Sequence, residues 1–189
     1  MEGEDNPMPK LSRKRIDDAA SRVKLALMDV DGVLTSGLIY HFVDSAGGLV
    51  EFKGMHSQDS IALTWLAECG VKTGFISGRN SAGTQKRLEM LKASYIYQGR
   101  LDKIAVLEEI RQKSGIDARN TLYIGDDLPD LPVLARVGLA AAPANARPEV
   151  KAAAHWVTKA SGGAGAVREV AETILKSQGR WGDVLKHFH

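Results

Sequence analysis

Two aspartates at the end of an apolar run are the first candidates for chemistry in this sequence. Asp29 and Asp31 follow the apolar residues 23–28, and Gly32 comes next. A carboxylate that attacks an anionic phosphate ester needs a cation to offset repulsion, and magnesium binds both carboxylate and phosphate oxygens. Asp29 can then attack phosphorus, while Asp31 is close enough to protonate the leaving oxygen and later to activate water. Taken alone, the segment could equally be a turn without a chemical role.

Polar groups that could hold a phosphate occur at two later positions. The Ser77 hydroxyl and the Gly78 amide follow the apolar run 71–76 and begin a predicted helix, where both can donate hydrogen bonds to an anion. An ordinary helix cap would have the same sequence. Lys103 opens another predicted helix and could neutralise the phosphate and the aspartate pair, although most lysines at such positions are only solvated.

A third carboxylate follows the apolar strand 121–124. Asp126 and Asp127 are adjacent there, which is unfavourable unless a cation or hydrogen bonds compensate, so Asp126 is a candidate metal ligand. Asp127 and Asp130 would then orient Lys103 or a water on the metal. For Asp130, the favourable interaction of an acid with a helix N-terminus is an additional interpretation.

The elements that must position these residues alternate between short strands and helices, which predicts an α/β fold with a Rossmann-like parallel sheet flanked by helices. Asp29, Ser77 and Asp126 each follow a strand directly, and active sites of such sheets lie beyond the carboxyl ends of the strands. The predicted strands are 23–28, 71–76, 95–97, 121–124, 139–142 and 156–157. The predicted helices are 57–68, 80–91, 102–114, 131–136, 148–153 and 166–176. A hairpin is expected within 38–52.

Length and composition predict one domain and exclude several classes. The 189 residues are 44% hydrophobic, which is enough for one core. The net charge of +2 argues against a polybasic nucleic-acid binder. No apolar run approaches the roughly 20 residues that span a bilayer, and no signal peptide is evident, so we expect a cytoplasmic protein without a membrane partner. We divide the chain into an N-terminal extension (1–21), a catalytic domain (22–176) and a C-terminal tail (177–189).

In order and spacing, these motifs resemble the haloacid dehalogenase superfamily. The matching segments are Asp29-Val-Asp-Gly-Val, Ser77, Lys103 and Gly125-Asp-Asp-Leu-Pro-Asp, and the resemblance covers about residues 23–176. It implies a required Mg²⁺, Asp29 as nucleophile and Asp31 as acid and base. It also implies that the metal is bound by the carboxylates of Asp29 and Asp126 and by the main-chain carbonyl of Asp31.

Longer segments are similar to the 3-deoxy-D-manno-octulosonate 8-phosphate phosphatase family, namely 29–40, 125–133 and 162–169. This resemblance implies hydrolysis of that sugar-acid phosphate in lipopolysaccharide precursor synthesis. It also implies a hairpin, here 38–52, in place of a large cap domain, and a homotetramer in which a neighbouring subunit helps to close each site. The implied substrate contacts are Asp31, His56, Ser57, Gln58, Asp59, Ser60, Gly78, Arg79, Arg87 and Lys103.

Sugar recognition is the part in which the sequence departs from this family. The family segment Arg-Asp-Gly-x-Gly reads Gln58-Asp-Ser-Ile-Ala here, and Ala164 stands where a basic residue is usual. Arg79 and Arg87 are eight residues apart, so we expect them on similar sides of one helix, where they could bind a carboxylate or a phosphate. The alternatives are a phosphatase for a nine-carbon sugar-acid phosphate, a phosphotransferase or mutase, and a non-catalytic oligomer that binds a sugar phosphate.

Overall fold

The structure is a computed structural model that describes residues 10–188. Its strands are β1 (Leu25–Met28), β2 (Tyr40–Val43), β3 (Leu49–Phe52), β4 (Lys72–Ile76), β5 (Tyr95–Tyr97), β6 (Thr121–Ile124), β7 (Leu139–Ala142) and β8 (Trp156–Val157). Its α-helices are α1 (Arg13–Ala20), α2 (Ser57–Glu68), α3 (Ala82–Met90), α4 (Lys103–Ser114), α5 (Leu131–Leu134), α6 (Pro148–Ala153), α7 (Ala166–Ser177) and α8 (Trp181–Leu185).

A six-stranded parallel sheet has the order β5-β4-β1-β6-β7-β8. The sheet therefore grows outwards from β1 in both directions, which is the doubly wound arrangement. In such sheets the ligand crevice opens where the winding reverses, here between β1 and β6. Asp29 directly follows β1, and Asp126 follows the adjacent end of β6 after Gly125. The predicted α/β fold is confirmed.

Helices cover both faces of the sheet because its central strands are apolar on both faces. In β1, Ala26 and Met28 belong to the core shared with α1, α2 and α7, while Leu25 and Leu27 belong to the core shared with α4, α5 and α6. All four residues are buried. Such a strand has no polar face, which explains why it appears in the sequence as an unbroken apolar run.

The helix predicted at residues 80–91 begins later, at Ala82. Ser81 caps α3, since its hydroxyl oxygen accepts a hydrogen bond from the Thr84 amide at 3.4 Å. Arg79 therefore lies in the loop before the helix, and the prediction that Arg79 and Arg87 share one helix was wrong. The serine hydroxyl satisfies an otherwise free amide of the first turn, and this cap decides where the helix begins.

The hairpin is confirmed as an antiparallel pair, β2 and β3. The carboxylate of Asp44 closes its turn by accepting hydrogen bonds from the amides of Ala46 and Gly48. One face of the hairpin is aromatic, with the rings of Tyr40 and Phe52 stacked at 5.2 Å. These side chains are half-exposed, so the hairpin projects from the sheet instead of adding to its core.

The two ends of the described chain pack against the same side of the sheet. Ile16 of α1 is buried in the core that includes α7, and Trp181 of α8 contacts the Trp65 ring edge-on at 5.7 Å. Parts of the predicted extension and tail, residues 1–9 and 189, lie outside the described residues. The domain boundaries at 22 and 176 stay a prediction. Among residues 10–188, no helix combines the length and apolar character that crossing a bilayer requires.

Candidate active site

Asp29, at the end of β1, forms an ion pair with Lys103 from the first turn of α4. The Lys103 Nζ atom lies 3.2 Å from Oδ2 of Asp29, and the other oxygen accepts a hydrogen bond from the Val30 amide at 2.7 Å. Burial raises the pKa of Asp29 to about 6, against the opposing effect of the Lys103 charge. Lys103 is thus the side chain that favours the ionised form of Asp29.

Asp130 is the second carboxylate that holds Lys103 in place. Its Oδ1 accepts hydrogen bonds from Lys103 Nζ and from the Tyr123 hydroxyl, both at 2.6 Å. Its Oδ2 accepts hydrogen bonds from the amides of Asp126 at 3.0 Å and Asp127 at 3.2 Å. Burial lowers the pKa of Lys103, but the charges of Asp29 and Asp130 together outweigh it, so the pKa lies above its usual value.

A cluster of carboxylates next to this lysine fits a magnesium ion. Oxygens of Asp29, Asp126 and Asp130 lie within 4.8 Å of one another. Oδ1 of Asp126 is buried and has no hydrogen-bond partner among the described residues. Burial, with the charge of Asp29 next, raises the pKa of Asp126 to about 7. Each oxygen of Asp130 already faces two donors, whereas each oxygen of Asp29 faces one and Oδ1 of Asp126 faces none, so Asp29 and Asp126 are the carboxylates with room for a cation.

Gly32 is required where the chain passes this cluster. Its φ is +91°, and a Cβ atom at this position would stand 2.0 Å from Oδ2 of Asp126. The Gly32 carbonyl accepts a hydrogen bond from the side chain of Asn145, whose own oxygen accepts one from the Gly162 amide at 2.7 Å. Asn145 thus links the aspartate loop to the glycine-rich loop, a contact that the sequence analysis missed.

Ser77 lies buried at the end of β4, on the same edge of the sheet. Its amide donates to the Tyr97 carbonyl, and its hydroxyl oxygen accepts a hydrogen bond from the Arg79 amide at 3.1 Å. That bond leaves the hydroxyl proton available for a phosphate oxygen. Gly78 follows, and a Cβ atom there would approach Leu101 to 3.1 Å.

Asp31 contacts a lysine that the sequence analysis missed. The Nζ atom of Lys53, just beyond β3, lies 2.7 and 2.9 Å from the two carboxylate oxygens of Asp31. Glu51 lies beside it and also pairs with Arg79, 2.7 Å away. Glu51 and Lys53 are two residues apart in extended chain, so they share one face of the hairpin. This spacing was the available signal for their common role.

The predicted substrate segment 56–60 forms the start of α2, where its residues have different environments. Asp59 is fully buried, and its carboxylate accepts hydrogen bonds from the amides of Gly165 at 3.1 Å and Arg168 at 2.7 Å. Asp59 thereby caps α7. Ser60 is also buried, whereas Ser57 and Gln58 are exposed. The ring of His56 lies 3.9 Å from Asp59.

Arg87 lines a cleft of about 380 Å³ between the hairpin and α3. The cleft is lined by Glu51, Phe52, Lys53, Met55, Ser81, Gly83, Thr84 and Arg87. A larger cleft of about 760 Å³ includes Lys24 and Lys72 at the opposite edge of the sheet. The smaller cleft is the one that adjoins Asp31, because Lys53 contacts both.

Asp127 contacts neither Lys103 nor the carboxylate cluster through its side chain. Its exposed carboxylate accepts a hydrogen bond from the Leu128 amide at 2.8 Å, at the start of a short 3₁₀ helix. Its main chain contacts Asp130, since its amide donates to Oδ2 at 3.2 Å and its carbonyl accepts from the Asp130 amide at 2.9 Å. The structure thus brings Asp29, Ser77, Lys103, Asp126 and Asp130 to one edge, with Asp31 and Arg79 beside the hairpin.

Comparison with known proteins gives a consistent result. The sequence pattern of haloacid dehalogenase-like hydrolases matches residues 90–170. The 3-deoxy-D-manno-octulosonate 8-phosphate phosphatase of Escherichia coli (strain K12) is 35% identical over 161 residues, covering 85% of this chain and 84% of the relative. That of Yersinia pestis is 37% identical over 159 residues, covering 84% and 83%. The chain belongs to the 3-deoxy-D-manno-octulosonate 8-phosphate phosphatase family.

Solved structures support the family at the level of the fold. The Moraxella catarrhalis phosphatase of this name, solved with magnesium, phosphate and its sugar acid, has a TM-score of 0.87 and 37% identity. The similarity covers 93% of this chain and 99% of that one. The protein is therefore a phosphatase, and both the suspected family and the predicted enzyme class are confirmed. The roles of individual site residues stay predictions.

Proposed function

We propose that this phosphatase hydrolyses 3-deoxy-D-manno-octulosonate 8-phosphate to the free sugar acid and phosphate, as a cytoplasmic step in lipopolysaccharide precursor synthesis. The observation that carries the proposal is the position of Asp29. Its carboxylate stands between the ammonium group of Lys103 and the unpartnered oxygen of Asp126. The choice of substrate follows the relatives in Escherichia coli and Yersinia pestis, which are phosphatases of this ester.

Mg²⁺ is the cofactor, and the residues present fit it. The carboxylates of Asp29 and Asp126 would hold the ion, together with the main-chain carbonyl of Asp31. When bound, the ion supplies positive charge that reduces the repulsion between a carboxylate and an anionic phosphate. Burial is the main cause of the raised pKa values of Asp29 and Asp126, about 6 and about 7, and the positive charge of a bound cation would favour the ionised form of both.

In the first step an oxygen of Asp29 attacks phosphorus and the bond from phosphorus to the sugar oxygen breaks. Asp31 donates a proton to that leaving oxygen. Hydrogen bonds from the Ser77 hydroxyl, the Gly78 amide and Lys103 stabilise the charge that develops on the phosphoryl oxygens. In the second step Asp31 takes a proton from water, which attacks the aspartyl-phosphate, and Asp29 and inorganic phosphate are released.

The sugar acid is proposed to bind beside the hairpin. Arg87 and Lys53 line the cleft of about 380 Å³, and Arg79 pairs with Glu51, which also lines it. The positive charge of these three residues suits an anionic sugar. Arginine can bind a carboxylate through two parallel hydrogen bonds. His56, Ser57, Gln58, Asp59 and Ser60 stay proposed as substrate contacts on resemblance, although the contacts of Asp59 are with α7.

A homotetramer is part of the proposal. The hairpin exposes the aromatic rings of Tyr40, Phe42 and Phe52, which are 50–52% accessible. Burial of such a face between copies would be favourable, because each aromatic side chain removes a large apolar area from water. Sedimentation velocity would test this assembly, and a monomer at micromolar concentration would contradict it.

The deciding experiment is phosphate release from 3-deoxy-D-manno-octulosonate 8-phosphate with and without Mg²⁺. We expect release only with the metal, and loss of release in Asp29→Asn, whose amide cannot act as the nucleophile. A nine-carbon sugar-acid phosphate should be assayed in the same panel. Faster turnover of that ester would identify it as the preferred substrate. Undiminished release by Asp29→Asn would refute the mechanism.

A further inference from the structure

A glutamate on the hairpin lies between two cations of the proposed sugar site. Oε2 of Glu51 is 2.7 Å from Nη2 of Arg79, and Oε1 is 3.3 Å from Nζ of Lys53. The lysine also contacts both carboxylate oxygens of Asp31. Asp31, Lys53, Glu51 and Arg79 therefore form one continuous chain of alternating charges, whose ends also meet because Nε of Arg79 is 3.9 Å from Oδ2 of Asp31.

This chain of charges is shielded from water at its centre. The Lys53 side chain is only 3% exposed and that of Glu51 is 17% exposed, whereas Arg79 is 49% exposed. Charges that are partly removed from water interact more strongly than fully solvated ones. The negative charge of Glu51 therefore adds to that of Asp31 in offsetting Lys53 and Arg79, two cations that an incoming carboxylate would need.

Glu51 also lines the cleft in which the sugar acid is proposed to bind. Glu51 and Lys53 line the cleft of about 380 Å³ on the hairpin side, and Arg87 lines it on the α3 side. Among the described residues, Arg87 has no carboxylate within 4.0 Å, so its charge is free to attract an anion. An anionic ligand that is attracted by Arg87 would bind Arg79 and Lys53 only in competition with the Glu51 carboxylate, which already contacts both.

We propose that Glu51 is an internal counter-ion that occupies Arg79 and Lys53 in the free enzyme and yields them to the carboxylate of the substrate. The inference rests on the proposed function in taking a sugar acid as the ligand. It makes Glu51 a specificity-determining residue. A carboxylate can replace Glu51 at both cations, whereas a neutral sugar would leave them with Asp31 alone as an acidic partner among the described residues.

The expected effect of Glu51 on affinity is moderate. Ion pairs that are partly exposed contribute little free energy. A competing internal contact raises the apparent Kd only in proportion to the share of protein molecules in which that contact blocks the ligand. Removal of the competing charge should therefore tighten binding of the sugar acid by about three- to tenfold. Removal of Lys53 should weaken it by at least as much, because the carboxylate then loses one of its cations.

Calorimetric titration of the full-length, Mg²⁺-loaded protein with free 3-deoxy-D-manno-octulosonate tests this directly. We expect Glu51→Gln to lower Kd and Lys53→Met to raise it. Glu89→Gln is the matched control, because it removes a glutamate charge from the exposed face of α3, beside Lys86, and should leave Kd unchanged. D-Mannose, a neutral sugar, should show no tightening in Glu51→Gln.

Opposite signs for the two variants separate this role from a structural one. If the pair only tethered the hairpin, both substitutions would loosen it and both would weaken binding. Weaker or unchanged binding by Glu51→Gln would overturn the inference, as would the absence of binding by wild type and both variants. The proposed substrate is judged separately by phosphate release, so wild type that binds the sugar acid but does not hydrolyse its phosphate ester would refute that proposal alone.

Discussion

Asp130→Asn is the substitution for which the structure gives the sharpest expectation. The two oxygens of Asp130 accept four hydrogen bonds, from Lys103, Tyr123 and the amides of Asp126 and Asp127. An asparagine has the same shape, but its NH₂ group would face donors on one side. It also leaves the buried ammonium group of Lys103 without one of its two carboxylate partners. Because Asp130 is fully buried, solvent cannot replace the lost acceptors.

Breaking a buried ion pair by removing one partner costs about 3–5 kcal/mol. We therefore expect Asp130→Asn to lower the free energy of unfolding by about that amount in urea denaturation. The turnover number should fall as well, because Lys103 is no longer held 3.2 Å from Asp29. Asp127→Asn is the stability control. Its exposed side chain accepts from backbone amides at the start of the 3₁₀ helix and contacts no charged group there, and asparagine caps as well as aspartate. A loss below 1 kcal/mol for Asp130→Asn, or equal losses for both variants, would refute the reasoning.

Three further outcomes are expected. The gain in thermal stability from Mg²⁺ should grow between pH 5 and 8 in calorimetric scans. The raised pKa values of Asp29 and Asp126, about 6 and about 7, mean that protons occupy these carboxylates at the lower end of that range and compete with the metal. A pH-independent gain would contradict this. Gly32→Ala should weaken Mg²⁺ binding more than tenfold in titration calorimetry, because its Cβ atom would overlap Asp126, whereas Gly83→Ala, with nothing within 4 Å, should not. Asp59→Ala should cost about 1–3 kcal/mol in urea denaturation, because two amides at the start of α7 lose their acceptor. Unchanged stability together with a raised KM would instead place Asp59 in substrate binding.

The hairpin connects the proposed chemistry with the proposed assembly. Its aromatic face, with Tyr40, Phe42 and Phe52, points away from the face that carries Glu51 and Lys53, since alternate residues of a strand point to opposite sides. One short element thus supplies an apolar surface for other copies and charged groups for the site. A change in oligomeric state would therefore be expected to alter affinity for the sugar acid.

The sequence by itself determined the strands of the sheet, most of the helices between them and the main edge of the site. Buried parallel strands are unbroken apolar runs, and the helices between them end at glycines or begin at polar caps. The local pattern therefore predicted the exact bounds of the strands Tyr95–Tyr97, Thr121–Ile124 and Leu139–Ala142. Asp29, Ser77 and Asp126 follow strands directly. Because all strands of a parallel sheet end at the same edge, their convergence followed from local position alone.

Only the tertiary structure decided which side chains are partners. The sequence predicts Asp59 as a substrate contact. In the structure its carboxylate oxygens accept hydrogen bonds from amides 106 and 109 residues away, at the start of α7. Lys53 carries no motif, yet it meets Asp31 across 22 residues because the hairpin folds back over the site. Local patterns record burial and capping within an element. Ion pairs between elements depend on the angle at which those elements pack, and that angle is set by the whole core.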